Sequence, residues 1–329
     1  MGKALSRRDF LKLSGAGLAG GALLGAAGCG GGGAESNELT VTFGPDPAGA
    51  LQKVIDQFNQ ANEGGIQAKY RQMPADSSQY RDQITTELQA GGGDTDVIIA
   101  DSVWVAQFAA NGWISDLSNR FAEASRSNYL EATIEASTFE DRVYGVPQYA
   151  SLAMLYYRKD LLKQSGFDEP PETWDELKEQ AEQVMRDSDT EFGFVFQGGN
   201  YEGGVVNGLE YIWNAGGDVL DGDTVVIDSP ESVEGLEIER SMVEDGIASE
   251  AVSNYKEQDA QIAFLNGDAV FCRNYSYMYT LSSDPSESEV EPEQIGVSSI
   301  PVASEGDRSY SGFGLWTSLI NGSSQLQDA

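Results

Sequence analysis

A two-lobed α/β fold is predicted by three features of the sequence. Residues 39–100 carry strand and helix patterns in the order β-α-β-α-β, which implies an open sheet that binds ligands beyond the carboxyl ends of its strands. A second alternating block follows residue 160. Between them, residues 144–160 (Y-G-V-P-Q-Y-A-S-L-A-M-L-Y-Y-R-K-D) read as two short extended runs joined through Pro147, which fixes its own φ and holds Val146 extended. This stretch is expected to cross from one lobe to the other. A chain of 329 residues has the length of about two domains.

Along the chain, the first strand is expected at residues 39–43, where apolar and polar residues alternate before the turn Gly44-Pro45-Asp46-Pro47. Leu51, Val54, Ile55 and Phe58 then recur at the spacing of one helix face. Ile66, Ala68 and Tyr70 mark a second strand, and a polar loop leads to a helix with Tyr80, Ile84 and Leu88 on one side. Residues 97–100, V-I-I-A, form an unbroken apolar run of the kind buried on both faces of a parallel sheet. Asp101 and Trp104 follow directly. Two readings of them stand side by side: a helix cap with a core tryptophan, or a pair displayed at the strand end.

Beyond the crossing, Thr173 and Glu176 in P-P-E-T-W-D-E-L form a capping box. Residues 192–196 read as a buried strand, and the loop Q-G-G-N-Y-E-G-G after it displays Tyr201 and Glu202. That loop is no phosphate loop, because it lacks Gly-Lys-Ser/Thr and Glu202 repels an anion. The D-G-D at 221–223 reads as a hairpin turn rather than a calcium loop, since no full ligand set follows. Ser229-Pro230-Glu231 opens a helix carrying Val233, Leu236 and Val243. Residues 269–272 form a strand with an aromatic-rich loop, 273–279, at its carboxyl end, and residues 295–301 look like a strand returning towards the first lobe.

Charge narrows the partners. The chain has 53 acidic and 20 basic residues, a formal net charge of −33, and no His. Such a surface repels phosphates, so nucleic acid is excluded as a partner. Its self-repulsion is relieved in molar salt, where the Debye length falls to about 3 Å, and an extracytoplasmic protein of a halophile is the expectation. With no His and only Cys272 internal to the fold, zinc sites and His-dependent triads are ruled out, and no metal or cofactor is expected. Cys272 lies in the apolar run A-V-F-C and is expected to be a buried small hydrophobe.

The amino terminus reads as an address. S-R-R-D-F-L-K at residues 6–12 has the twin-arginine pattern, and a Gly- and Ala-rich apolar run leads to Gly28-Cys29. Residues 1–28 are expected to be a twin-arginine lipoprotein signal, Cys29 the lipidated residue, and 29–37 a flexible linker. The cleaved chain then carries a formal charge near −36.

Several motifs together carry a family likeness: V-Y-G-V-P-Q-Y, L-Y-Y-R-K-D-L-L, P-P-E-T-W-D-E-L, F-G-F-V-F-Q-G-x-x-Y-E-G, F-x-x-G-x-A-V-F-x-R-N and a late I-P. In this order they resemble the family 1 extracellular solute-binding proteins of sugar ABC importers, with the trehalose/maltose-binding type the nearest likeness. The resemblance runs from about residue 39 to 329. It implies a periplasmic-binding-protein-like (type II) fold with open sheets, a hinge and an interlobe cleft, with residues 38–147 plus 298–329 as one lobe and 148–297 as the other. It implies a monomer that binds sugar without chemistry and delivers it to membrane permease subunits. The family continues past the point where this sequence stops, so an incomplete second lobe is the expectation.

The resemblance also implies a site. Asp101 and Trp104 of A-D-x-x-W, Arg81 of S-S-Q-Y-R, Tyr149 after V-P, and Tyr201-Glu202 of Y-E-G match positions at which the family holds sugar. Tyr275 after R-N and Phe313 in S-G-F stand where the family has tryptophans. The first loop lacks the glutamate that the nearest relatives place around Ala48, and Asp46 is the substitute it offers. These residue types suit a pyranose: carboxylates and guanidinium pair with its hydroxyls, while its C–H faces pack on aromatic rings. A secreted hydrolase using paired carboxylates is the alternative, though among 53 acids some close pair is unavoidable.

Overall fold

The computed structural model describes residues 37–46, 49–92, 94–324 and 326. The export signal and Cys29 lie outside the described residues. The frame is one eight-stranded sheet. We number its strands β1 (Glu38–Phe43), β2 (Gln67–Gln72), β3 (Val97–Asp101), β4 (Gly145–Arg158), β5 (Phe192–Val195), β6 (Ala269–Tyr275), β7 (Ile295–Ser298) and β8 (Phe313–Ile320). The order is β2-β1-β3-β8-β4-β6-β5, with β7 also on β4.

The crossing is a single 14-residue strand rather than two runs. The first half of β4, Gly145–Leu152, pairs antiparallel with β8, and its second half, Ala153–Arg158, pairs with β6 and β7. Pro147 does not break it, because the ladder shifts register beside it: Trp316 faces Tyr149 while Thr317 faces Pro147, leaving Gln148 as the extra residue of a bulge. At the strand's start Gly145 is pressed against Thr317, whose Oγ1 lies 2.2 Å from where a Cβ would sit.

The return crossing differs from expectation. Residues 295–301 stay with the second lobe: β7 pairs with Leu155–Arg158, and Ile295 and Ile300 pack into second-lobe cores. The strand that goes back is β8, which runs from β4 to β3.

The first lobe packs β1, β2 and β3 in parallel, as the sequence pattern implies. Val97 of the V-I-I-A run is partly buried, and Ile98, Ile99 and Ala100 are buried. So are the polar positions of β1, because this strand is central: Thr42 Oγ1 lies 2.6 Å from Thr95 Oγ1, and the Tyr80 hydroxyl donates to the carbonyls of Thr42 and Ile99. Helix α1 (Ala50–Ala61) buries only Leu51 and Ile55 of its four expected apolar positions, while Val54 and Phe58 are exposed. Helix α2 (Ser77–Gln89) buries Tyr80, Ile84 and Leu88 as expected, and α3 (Val105–Ala110) follows β3.

In the second lobe, α4 (Trp174–Asp187) opens on the expected capping box: Glu176 N–H donates to Thr173 Oγ1 at 3.2 Å and Thr173 N–H to Glu176 Oε2 at 3.2 Å. Helix α5 (Glu202–Asn214) follows the glycine-rich loop, where Gly204 packs so closely on the Gly199 carbonyl that a Cβ would lie 2.1 Å from it. Helix α6 (Pro230–Glu244) has the expected Ser229 cap, but it buries Ser232, Gly235 and Met242 and leaves Val233 and Leu236 exposed. The reason is close approach: a Cβ on Gly235 would sit 2.4 Å from the Tyr211 carbonyl, so α6 meets α5 through its small residues. Helices α7 (Glu257–Leu265) and α8 (Tyr277–Leu281) flank β6. The D-G-D stretch is the expected hairpin turn, with Gly222 at φ 59°. Cys272 is fully buried, and burial pushes its thiol up.

Candidate functional site

The strand ends of the two lobes converge on one group of side chains. In the first lobe the antiparallel register sets Asp101 of β3, Trp316 of β8 and Tyr149 of β4 side by side in a row across the sheet. Tyr149 stacks on Trp316 with ring centroids 6.3 Å apart and planes 20° apart. Phe43, at the end of β1, meets Trp316 edge-on at 5.0 Å and Tyr149 at 6.2 Å. The Tyr149 ring is 42% exposed, yet burial, Asp101 and Asp46 together raise its phenol. It is a wall residue in a recess.

The second lobe brings carboxylates and phenols to meet this wall. Glu202 sits at the first turn of α5, where a helix amino terminus favours negative charge. Burial, Asp101 and Glu257 nevertheless push its carboxyl up to about 7, against the opposing pull of Arg273 and Ser77. Asp101 is 8% exposed, and burial pushes it up to about 6 although it accepts from Val103 N–H at 3.1 Å. The Asp101 charge is among the causes that raise Glu202. Around Glu202 the hydroxyls of Ser77 and Tyr201 are buried without a well-formed hydrogen bond. Such hydroxyls are demands for a polar partner.

Behind this wall lies a buried ion pair. Arg273 is 1% exposed and grips Glu210 with two hydrogen bonds, Nε to Oε2 at 2.8 Å and Nη2 to Oε1 at 2.7 Å, and Gln197 with a third at 2.8 Å. Glu210 also accepts from Gly312 N–H at the entry to β8. The Arg273 guanidinium lies 4.4 Å from the centroid of Tyr275, and burial holds that phenol up at about 12 despite the cation.

Over residues 44–325 the sequence matches the family described as bacterial extracellular solute-binding protein. The chain belongs to the family 1 extracellular solute-binding proteins of sugar ABC transporters. This solute-binding protein is 29% identical over 297 residues to the "Probable ABC transporter-binding protein" of Deinococcus radiodurans, covering 87% of this chain and 69% of that one. Its fold matches maltose-bound T. maritima MalE3 with a TM-score of 0.81 and 36% identity, over 88% of this chain and 74% of the other. It also matches the ABC transporter solute binding protein from Agrobacterium radiobacter K84 in complex with ribitol, with a TM-score of 0.76 and 26% identity over 88% and 73%. The two-lobed periplasmic-binding-protein-like fold read from the sequence is the fold observed.

Within the solute-binding protein, the nine residues expected at the site fall into three groups. Asp101 and Tyr149 stand in one row with Trp316, Glu202 feels the Asp101 charge, and Tyr201 and Tyr275 lie beside Lys256 and Arg273 respectively. Asp46 and Trp104 lie beside the group with other tasks. Asp46 accepts from the N–H groups of Ala50 at 3.0 Å and Gln52 at 3.1 Å and so caps α1. Trp104 is 4% exposed and packs on Tyr80, Phe108 and Trp316, the core reading of that residue, while Asp101 also caps the turn Ser102–Trp104. Arg81 and Phe313 are not brought into the group: Arg81 is an exposed partner of Asp82 at 3.2 Å, and Phe313 opens β8 opposite Leu152 with its ring 42% exposed.

Sequence reasoning missed Phe43, Ser77, Lys256, Glu257 and above all Trp316. The signal for Trp316 is the run F-G-L-W-T-S-L-I, an alternating strand pattern directly after S-G-F. A surface cavity of about 450 Å³ on the second lobe, lined by Tyr157, Lys159, Phe167 and Glu293 among others, contains none of the site residues. Among the described residues no cluster of three or more His, Cys, Asp or Glu could hold a metal ion, and no helix is long and apolar enough to cross a membrane.

Proposed function

We propose that this protein captures a mono- or disaccharide of the maltose, trehalose or glucose kind, or a related polyol, in the interlobe cleft and hands it to the membrane permease of an ABC importer. The observation that carries this reading is the row Asp101–Trp316–Tyr149 at the strand ends of the first lobe, with the Asp101 charge felt at Glu202 of the second. Stacked aromatic rings offer apolar faces to sugar C–H groups, while the carboxylates take its O–H groups. Tyr275, Asp46, Arg81, Trp104 and Phe313 complete the proposed set, Trp104 at the base and Phe313 at the rim. We divide the lobes within β4 after Leu152 and at Gly312, so residues 153–312 form the second lobe and the remainder of the fold the first. The protein acts as a monomer and is not an enzyme. It is exported by the twin-arginine route, lipidated at Cys29, and works at the outer face of the membrane of a halophile, near the trehalose/maltose-binding members of its family.

Tryptophan fluorescence separates binding from turnover. Trp316 lies in the ligand wall, so maltose or a neighbouring sugar is expected to change emission saturably in molar salt. Overnight incubation with maltose is expected to release no glucose. Release of glucose overturns the binding-only reading.

A further inference from the structure

The lobes also meet through a charged contact that lies beside the sugar-facing residues. Asp76, the cap of α2 on the first lobe, forms an ion pair with Lys256, the residue before α7 on the second. Both ends are oriented in advance. Asp76 Oδ1 accepts from Gln79 N–H at 2.8 Å, which leaves Oδ2 for Lys256. Lys256 N–H donates to Asp259 Oδ2 at 2.9 Å, which fixes the backbone from which its side chain reaches across. The Asp76 side chain is only 14% exposed, so the pair is partly sheltered from salt. Lys256 Nζ also lies 5.3 Å from the centre of the Tyr201 ring, which ties the contact to a proposed sugar platform.

Charge gives this pair a task. The Glu202 carboxyl feels the negative charge of Asp101 from the other lobe and of Glu257 from its own, in a chain of formal net charge −33. Like charges resist closure of the cleft. The Arg273 cation is committed to Glu210 behind the wall, whereas Lys256 supplies positive charge at the junction itself.

We propose that Asp76 and Lys256 form an interlobe latch, made only when the cleft is shut, which holds the lobes over a bound solute and sets its rate of release without touching it. The proposal rests on the reading of the cleft as a sugar site. Contacts formed after encounter act on the off-rate more than on the on-rate.

Asp76→Asn and Lys256→Gln test it, since asparagine still caps α2 and glutamine keeps the length of the side chain. Two readouts are needed: maltose release by stopped-flow fluorescence, and the interlobe distance in the unliganded protein by electron–electron resonance between spin labels on the two lobes. Each variant is expected to speed release about three- to fivefold with the on-rate unchanged, the double variant no more than either single, and the unliganded distances to shift towards the open form. The distance measurement needs no ligand, so it judges the latch even if no sugar binds and the reading of the site fails. Distances and release rates equal to wild type in both variants, or additive effects in the double variant, overturn the latch.

Discussion

Glu210→Ala is expected to cost about 3–5 kcal/mol of stability, the largest effect of any single substitution considered for this protein. The cause is the guanidinium it abandons. Arg273 is 1% exposed, and Glu210 supplies both of its bidentate bonds. The remaining partner, Gln197, is neutral. Replacing the pair together by Arg273→Met and Glu210→Leu is expected to recover most of the loss, because neither charge then stays buried alone. Binding is expected to remain weak in that double variant. Gly312 N–H loses its acceptor at the entry to β8, and Tyr275 loses the cation on its face. Denaturant midpoints at constant high salt measure the first effect and sugar titration the second. A loss below about 1 kcal/mol in Glu210→Ala contradicts the account of the pair.

Asp101→Ala and Glu202→Ala are each expected to weaken sugar binding about 10- to 100-fold, the effect of losing a hydrogen bond to a charged group. The same two residues predict a pH dependence. Burial pushes Asp101 up to about 6 and Glu202 up to about 7, both above ordinary carboxyl values. Protonation of the folded state is therefore favoured, and the stability it contributes is full below the ordinary values and is lost as pH rises through about 6 and 7. The melting temperature at fixed salt is expected to fall between about pH 4.5 and pH 7.5, and to fall less steeply in Asp101→Asn with Glu202→Gln. An unchanged slope in that double variant contradicts the burial of these carboxyls.

Much of this architecture is legible in the residues because local rules decide it. The capping box at Thr173 and Glu176, the turn at Gly222 and the buried run at residues 98–100 depend on neighbours a few positions away. What failed depends on distant partners. Apolar spacing assigns Val233 and Leu236 to the core of α6, but the helix turns Gly235 inward because only a glycine lets it reach the Tyr211 carbonyl. Residues 295–298 pair with the half of β4 that no local pattern selects.

The site divides the same way. Asp101 and Glu202 stand directly at a strand end and a helix start, where sequence places them. Trp316 enters only through its register opposite Tyr149 and Asp101, and Lys256 only because α7 brings it to Asp76. Trp104, one turn from Asp101, shows the limit of proximity in sequence, since its ring turns into the core.

Titration calorimetry in molar salt, against maltose, trehalose, glucose, mannitol and ribitol, tests the central claim most directly. The expected result is saturable one-site binding of at least one of them by the wild-type protein and affinity at least tenfold weaker in Asp101→Ala. Absence of binding across the panel, or equal affinity in wild type and Asp101→Ala, contradicts a sugar site built on the row Asp101–Trp316–Tyr149.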